Sequence, residues 1–326
     1  MSSERLVVVS YPMDYAALTA EELDGAADIA MLRQAGEADR PALLARADAL
    51  ICWSPSRELP AGALQDAATL RFIQLLSAGA DGVDFRAVPE RVTLAGNVGA
   101  YAAPMAEHVL AMTLALARRL PQRHAALAAG EWRQSEPLLT LNGAVCAILG
   151  FGGIGQATAA LLRPFGARIH AVNSSGATSE PVEFAGTLAD LDQVLAAADV
   201  LVICLPLTNA TRGLIGAREL ALMKPHAIVI NVARGPIIDE HALYRHLRDH
   251  PQFCAGIDAW WHEPRHGSGF RTDFPFFELP NLLGSPHNSA VVPGVLENAA
   301  RKAAQNVRRY LRGEPVTGLM RREDYL

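Results

Sequence analysis

The chain is 326 residues long, half of them hydrophobic and 19% charged, with a formal net charge of −5. That length predicts two domains, and Lys and Arg scattered along an acidic chain exclude the concentrated basic face that nucleic-acid binding needs. Four widely separated cysteines (Cys52, Cys146, Cys204 and Cys254) form no CxxC pair, so neither a disulfide framework nor a metal site is expected.

In chain order, Met1 to Arg5 lead straight into a valine run, unlike a signal peptide, and a cytoplasmic location is expected. Leu6 to Ser10 reads as a strand, Ala42 to Arg46 as helical and Ala49 to Trp53 as a strand. Leu70 to Leu76 and Val92 to Ala95 are further apolar runs bounded by turn residues. This alternation predicts a parallel α/β unit. Tyr101 to Leu120 reads as one long helix rich in alanine (Ala102, Ala103, Ala106, Ala111, Ala115, Ala117), able to approach a partner closely, either between domains or at a subunit contact. Pro137 to Leu162 carries no formal charge and is long enough to span a bilayer. Its glycine cluster would break a helix, so a strand followed by a glycine turn is expected and no membrane span. A second α/β unit starts with the strand Ala144 to Leu149. It continues through Arg168 to Val172, Val200 to Leu205, Ala227 to Asn231 and Phe253 to Ile257, and the helix Leu296 to Leu311 precedes a polar tail.

Gly150, Gly152 and Gly155 match G-x-G-x-x-G between an apolar strand and an Ala/Leu helix, with Phe151, Gly153 and Ile154 between them. Such glycines permit a tight turn and close backbone approach to a pyrophosphate, which then meets the free N–H groups and positive dipole end of the helix. An acid is expected at the end of the next strand to bind the adenosine ribose. Here Val172 runs into Asn173, Ser174 and Ser175 instead. Asn does not repel a 2′-phosphate as a carboxylate would, so the reading leans to NADP over NAD.

Three ionisable residues follow apolar strands: Arg234 after Asn231, Val232 and Ala233; Glu263 after Asp258; and His287 after Pro286. In a doubly wound sheet the carboxyl ends of the strands share one crevice, so these side chains can converge from distant points of the sequence. Reduction of a 2-oxo acid needs a cation for the carboxylate and polarised carbonyl, which the planar Arg fork supplies. It also needs an acid that protonates the developing alkoxide, a task suited to His, and a carboxylate that orients the imidazole and raises its pKa.

With these residues in place, the chain resembles the D-2-hydroxyacid dehydrogenase family, which includes glyoxylate/hydroxypyruvate reductases and phosphoglycerate dehydrogenases. The resemblance rests on the 150–155 turn, the 231–235 segment, Glu263-Pro264 and Pro286-His287. It is supported by Ala106-Glu107-His108, Leu205-Pro206-Leu207-Thr208 and Met223-Lys224. It implies two doubly wound parallel-sheet α/β domains, a Rossmann dinucleotide-binding domain (100–288) inserted into a flavodoxin-like substrate domain (1–99 with 289–326). It further implies Arg234 as substrate-binding, His287 as acid/base and Glu263 as its modulator. Leu205, Pro206, Val232, Ala233 and Asp258 would lie along the cofactor, Asp258 at the nicotinamide carboxamide. Backbone N–H groups of Ser77, Ala78, Gly79 and Ala80 would receive the substrate carboxylate. A small 2-oxo or D-2-hydroxy acid substrate and a homodimer are expected, with no nucleic-acid partner. Asn173 and Cys204 depart from the usual family residues. Asp81, Asp84, His108 and His262 read as solvated or structural groups. The alternative is a catalytically weak nicotinamide-sensing protein of the co-repressor type. A formate-dehydrogenase-like enzyme would carry Gln in place of Glu263. Turnover of 2-oxo acids separates the sensor from the reductase.

Overall fold

A strand covered on both faces of a sheet has no polar side to show, and several runs in this chain meet that condition over every residue. The computed structural model describes residues 5–11, 14–264 and 268–326; residues 1–4, read above for a leader segment, lie outside them. The chain divides into two compact units, Met1–Tyr101 with Val292–Leu326, and Ala102–Val291.

Among the described residues the first unit has five strands: β1 (Leu6–Val9), β2 (Asp28–Met31), β3 (Ala49–Cys52), β4 (Phe72–Leu75) and β5 (Thr93–Ala95), in the order β2-β1-β3-β4-β5. Every pairing is parallel. This is the flavodoxin-type doubly wound order. The returning helix Val295–Leu311 packs on β4. There Phe72 stacks on Tyr310 with centroids 4.4 Å apart, and Asn306 Nδ2 donates to the fully buried Gln74 Oε1 at 2.6 Å. The core beneath is Leu44, Leu50, Ile73, Leu75 and Phe85, with their apolar neighbours.

Among the described residues the second unit has seven strands: β6 (Val145–Leu149), β7 (Arg168–Val172), β8 (Phe184–Gly186), β9 (Val200–Ile203), β10 (Ile228–Asn231), β11 (Cys254–Ile257) and β12 (Leu282–Gly284). Their order is β12-β11-β10-β9-β6-β7-β8, again all parallel. Counted from β6, this is the Rossmann order extended by one strand, and the order reverses between β6 and β9. β6, β9, β10 and β11 are buried at every residue.

The long helix ends sooner than its composition predicts. It spans Ala102–Ala117, and a separate helix, Leu120–Ala128, follows. Arg119 between them is left-handed (φ 50°), and Pro121 has no N–H to continue the hydrogen-bond ladder. The first of these helices packs within its own unit, on β10, β11 and the helix Gly153–Leu162, through Met105, Ala106, Val109, Met112 and Leu116. β2 and β8 escape the sequence reading, for reasons taken up below. Among the described residues no helix is long and apolar enough to cross a membrane.

Candidate active site

The glycine turn sits where the strand order reverses, and its three glycines do three different things. Gly150 leaves β6 with φ +93°, and a Cβ there would lie 2.6–2.8 Å from the backbone of Cys204 and Leu205, just past β9. Only glycine fits such a conformation and approach. Gly155 lies against the Gly150 carbonyl, so the helix starts flush on the strand. At Gly152 a Cβ would meet nothing within 4 Å, which leaves open space beside the first turn of the helix Gly153–Leu162. No side chain caps that helix at Gly152, so its first amides remain donors for an anion. The arrangement fits a dinucleotide pyrophosphate. Ile154 and Leu205 are half-buried beside the turn, and Pro206, whose carbonyl accepts from Thr211 Oγ1 at 2.6 Å, is exposed. Burial raises the Cys204 thiol to about 12, so it is an uncharged packing group.

Asn173, at the end of β7, builds its own loop. Its Oδ1 accepts from Ser175 N (3.0 Å), Ser175 Oγ (3.0 Å) and Gly176 N (2.8 Å), and its Nδ2 donates to the Ala177 carbonyl (2.8 Å). Ser174 and Ser175 are exposed on this loop, and no carboxylate is part of it.

The loop after β10 is shaped by the fully buried Asn231. Its Oδ1 accepts from Ala233 N at 3.0 Å, and its Nδ2 donates to the Arg234 carbonyl at 2.9 Å. Val232 and Ala233 are buried beneath, and Arg234 Nη1 donates to the Ala233 carbonyl at 2.7 Å. Gly235 then passes hard against the next loop, since a Cβ there would lie 2.6 Å from the Trp260 carbonyl oxygen and 2.5 Å from Trp261 N. That loop carries Glu263, so the glycine sets the Arg234 and Glu263 segments against each other. Gly235→Ala is therefore expected to lower kcat/KM by about tenfold or more, because a displacement of about 1 Å in positioning groups costs that much or more. Steady-state kinetics on the folded variant checks it, and an unchanged kcat/KM contradicts the close-approach argument.

Glu263 Oε1 accepts from Trp260 N at 3.0 Å and pairs with His287 Nδ1 at 2.7 Å. Burial works to raise this carboxyl, but hydrogen bonds from His287 and Trp260 and the charges of His287 and Arg234 outweigh it and hold it below its ordinary range. A carboxylate only accepts, so Nδ1 carries a proton and Nε2 is the ring atom left for chemistry. His287 is itself left-handed (φ 51°), one of three described non-glycine residues with positive φ.

Asp258, at the end of β11, is fully buried. Burial would raise its carboxyl, yet hydrogen bonds from Ser285, Ser289 and the Asn288 amide hold it low. The group that the family resemblance assigns to the nicotinamide carboxamide is thus already the hub of a network within the chain. Ser77, Ala78, Gly79 and Ala80 lie in the other unit, on the loop after β4. Ser77 Oγ donates to the Gly79 carbonyl at 2.8 Å, and Gly96 lies directly against the Ala78 carbonyl. Asp81 and Asp84 are exposed. Sequence reading did not single out Ser285 or give His108 a role, although their side chains meet at 3.0 Å. It also missed a cluster of Glu240, His262 and Asp273, whose ligand-type atoms lie within 4.8 Å of one another. Arg271 already donates to Asp273 at 2.8 Å there and approaches His262 Nδ1 at 3.4 Å, so the cluster reads as a surface ion network.

The strand order and the glycine turn together define a dinucleotide-binding protein of the doubly wound α/β class. Residues 110–289 match the D-isomer specific 2-hydroxyacid dehydrogenase, NAD binding domain. The chain is 30% identical to the glyoxylate reductase of Thermococcus litoralis over 80% of each protein. It is 35% identical to the D-3-phosphoglycerate dehydrogenase of Mycobacterium leprae over 85% of this chain and 52% of that one, so it spans about half the length of that relative. A crystal structure of a D-isomer specific 2-hydroxyacid dehydrogenase from Xanthobacter autotrophicus Py2, in complex with NADPH and MES, is 28% identical. It superposes with a TM-score of 0.77, covering 99% of this chain and all of that one. The chain belongs to the D-isomer specific 2-hydroxyacid dehydrogenase family, and is an oxidoreductase with that family's NAD-binding domain.

Proposed function

We propose that this protein reduces a small 2-oxo acid of the glyoxylate or hydroxypyruvate kind to the D-2-hydroxy acid, with NADPH preferred over NADH. The reading rests on the 2.7 Å hydrogen bond between His287 Nδ1 and Glu263 Oε1, with the Arg234 charge acting on the same carboxylate. The nicotinamide supplies the hydride when bound. The uncapped amides at the start of the helix Gly153–Leu162, beside the open space at Gly152, would hold its pyrophosphate, and Asp258 would bind its carboxamide. The Arg234 guanidinium binds the substrate carboxylate and polarises the carbonyl. His287 delivers the Nε2 proton to the developing alkoxide, and Glu263 stabilises the protonated ring and fixes its tautomer.

NADPH preference follows from the Asn173 loop, where exposed serine hydroxyls and an amide stand at the end of β7 and no carboxylate opposes a 2′-phosphate. The test is oxidation of NADPH and NADH against glyoxylate, hydroxypyruvate, pyruvate and phenylpyruvate. Turnover of at least one acid is expected, with Arg234→Ala abolishing it. A kcat/KM about tenfold higher with NADPH corresponds to about 1.4 kcal/mol, and Asn173→Asp is expected to move the ratio toward NADH. Tight cofactor binding without turnover on any acid contradicts the reductase reading, and a higher kcat/KM with NADH contradicts the cofactor assignment.

A further inference from the structure

The hydrogen bonds around Asp258 run in one direction. Its carboxylate accepts from Ser285 Oγ at 2.6 Å and from the amides of Asn288 and Ser289 at 3.1 and 3.2 Å. Its own carbonyl accepts from the His287 amide at 2.9 Å. Three consecutive N–H groups therefore turn onto one buried residue, the concave geometry that a left-handed residue in a loop creates. His287 is that residue. A side chain other than glycine held in this region stays there only where its surroundings over-determine it.

The donors can be assigned one by one. The Asp258 carboxylate only accepts, so the single proton of Ser285 Oγ is committed to it. Ser285 Oγ can then only accept from His108 Nε2, 3.0 Å away. The chain His108 Nε2–H to Ser285 Oγ–H to Asp258 Oδ1 is thereby fixed, and so is the proton on His108 Nε2. It ties the helix Ala102–Ala117 to the loop that presents His287, and Trp260 Nε1 donating to the Ser285 carbonyl at 2.8 Å secures that loop from its other side. Pro286 lies between Ser285 and His287 and limits how the loop can adjust.

We propose that His108 and Ser285 are positioning residues for the acid/base pair: acting through Asp258, they hold the loop 285–289 in the backbone conformation that places His287 Nδ1 against Glu263. Neither side chain touches the reacting atoms. The inference rests on the proposed reading of His287 as proton donor, and its test has one readout that needs no turnover.

Ser285→Ala and His108→Phe are compared with Ser285→Thr and His108→Gln, which retain the hydroxyl and the N–H donor respectively. In the first pair kcat per folded molecule is expected to fall about tenfold or more, and in the second pair to return to within about threefold of the parent. Proton NMR follows the downfield Nδ1–H resonance of the His287–Glu263 hydrogen bond, assigned by its absence in His287→Asn. It is expected in the parent, Ser285→Thr and His108→Gln, and broadened or lost in Ser285→Ala and His108→Phe. Loss of thermal stability in Ser285→Ala and His108→Phe with the resonance intact reduces the chain to ordinary packing and overturns the proposal. A parent that turns over no 2-oxo acid contradicts the reductase reading alone, because the resonance still decides the positioning role.

Discussion

If the proposed reading holds, His287→Asn is expected to lower kcat for 2-oxo acid reduction by about 10²- to 10⁴-fold, the usual worth of a positioned general acid, while cofactor affinity stays close to that of the parent. Asparagine is the informative replacement because the residue is left-handed (φ 51°) and Asn tolerates that region better than most side chains. The loop is preserved and only the imidazole is removed. Stopped-flow measurement of NADPH oxidation, with cofactor titration by fluorescence, separates the two quantities. A kcat within tenfold of the parent sinks the assignment of His287. Glu263 adds a dependence on pH. Its carboxyl is held below the ordinary 4.5, so the stabilisation it gives is fully present above that value and fades as pH falls through the lower folded value. The stability difference between the parent and Glu263→Gln, measured by denaturant unfolding, is therefore expected to shrink on acidification.

The second large effect separates fold from ligand within one turn. Gly152→Ala adds a methyl where nothing lies within 4 Å and where φ is −93°, a value any residue adopts. The melting temperature is expected to stay close to that of the parent, while cofactor affinity falls by about tenfold or more because the methyl occupies the approach of the pyrophosphate. Gly150→Ala does the reverse first. It forces a Cβ into φ +93° and into the backbone of Cys204. The expected cost is about 2–4 kcal/mol, or about 5–15 °C in melting temperature for a unit of this size. Calorimetry and cofactor titration on both variants check this. Equal loss of stability in the two would mean that the 150–155 turn is a packing element and not a cradle.

The parts of this molecule legible in its sequence are those whose physics is local. β6, β9, β10 and β11 are apolar at nearly every position because helices cover both faces of the sheet. The glycine turn announces itself because a steep backbone path admits no other residue at Gly150. β2 and β8 are edge strands of four and three residues, half-exposed over most of their length, and so lack the burial that would have marked them in the sequence. The stop at Ala117 lies just before Pro121, but alanine-rich composition up to it points to one helix running on to Leu120. At the site, Arg234, Glu263 and His287 could be chosen because their residue types match a chemistry and each follows a strand. Nothing in Ser285-Pro286-His287 indicates a left-handed histidine. His108 gave no signal because its partner lies 177 residues away and the bond exists only once the helix has packed.

One feature of the first unit governs the order in which the polypeptide can mature on the ribosome. Its sheet is made from residues 6–95, but the helix that covers β4 is synthesised only after the whole of the second unit. Until that helix emerges, Phe72 lacks its stacking partner Tyr310, Gln74 lacks Asn306, and Glu22 lacks its contacts with Arg301 and Gln305. The 190 residues between, Ala102–Val291, carry their own complete seven-stranded sheet. The portion translated second can therefore fold first, while the nascent amino-terminal sheet waits with an apolar face uncovered. During that interval the uncovered apolar face is open to misassembly.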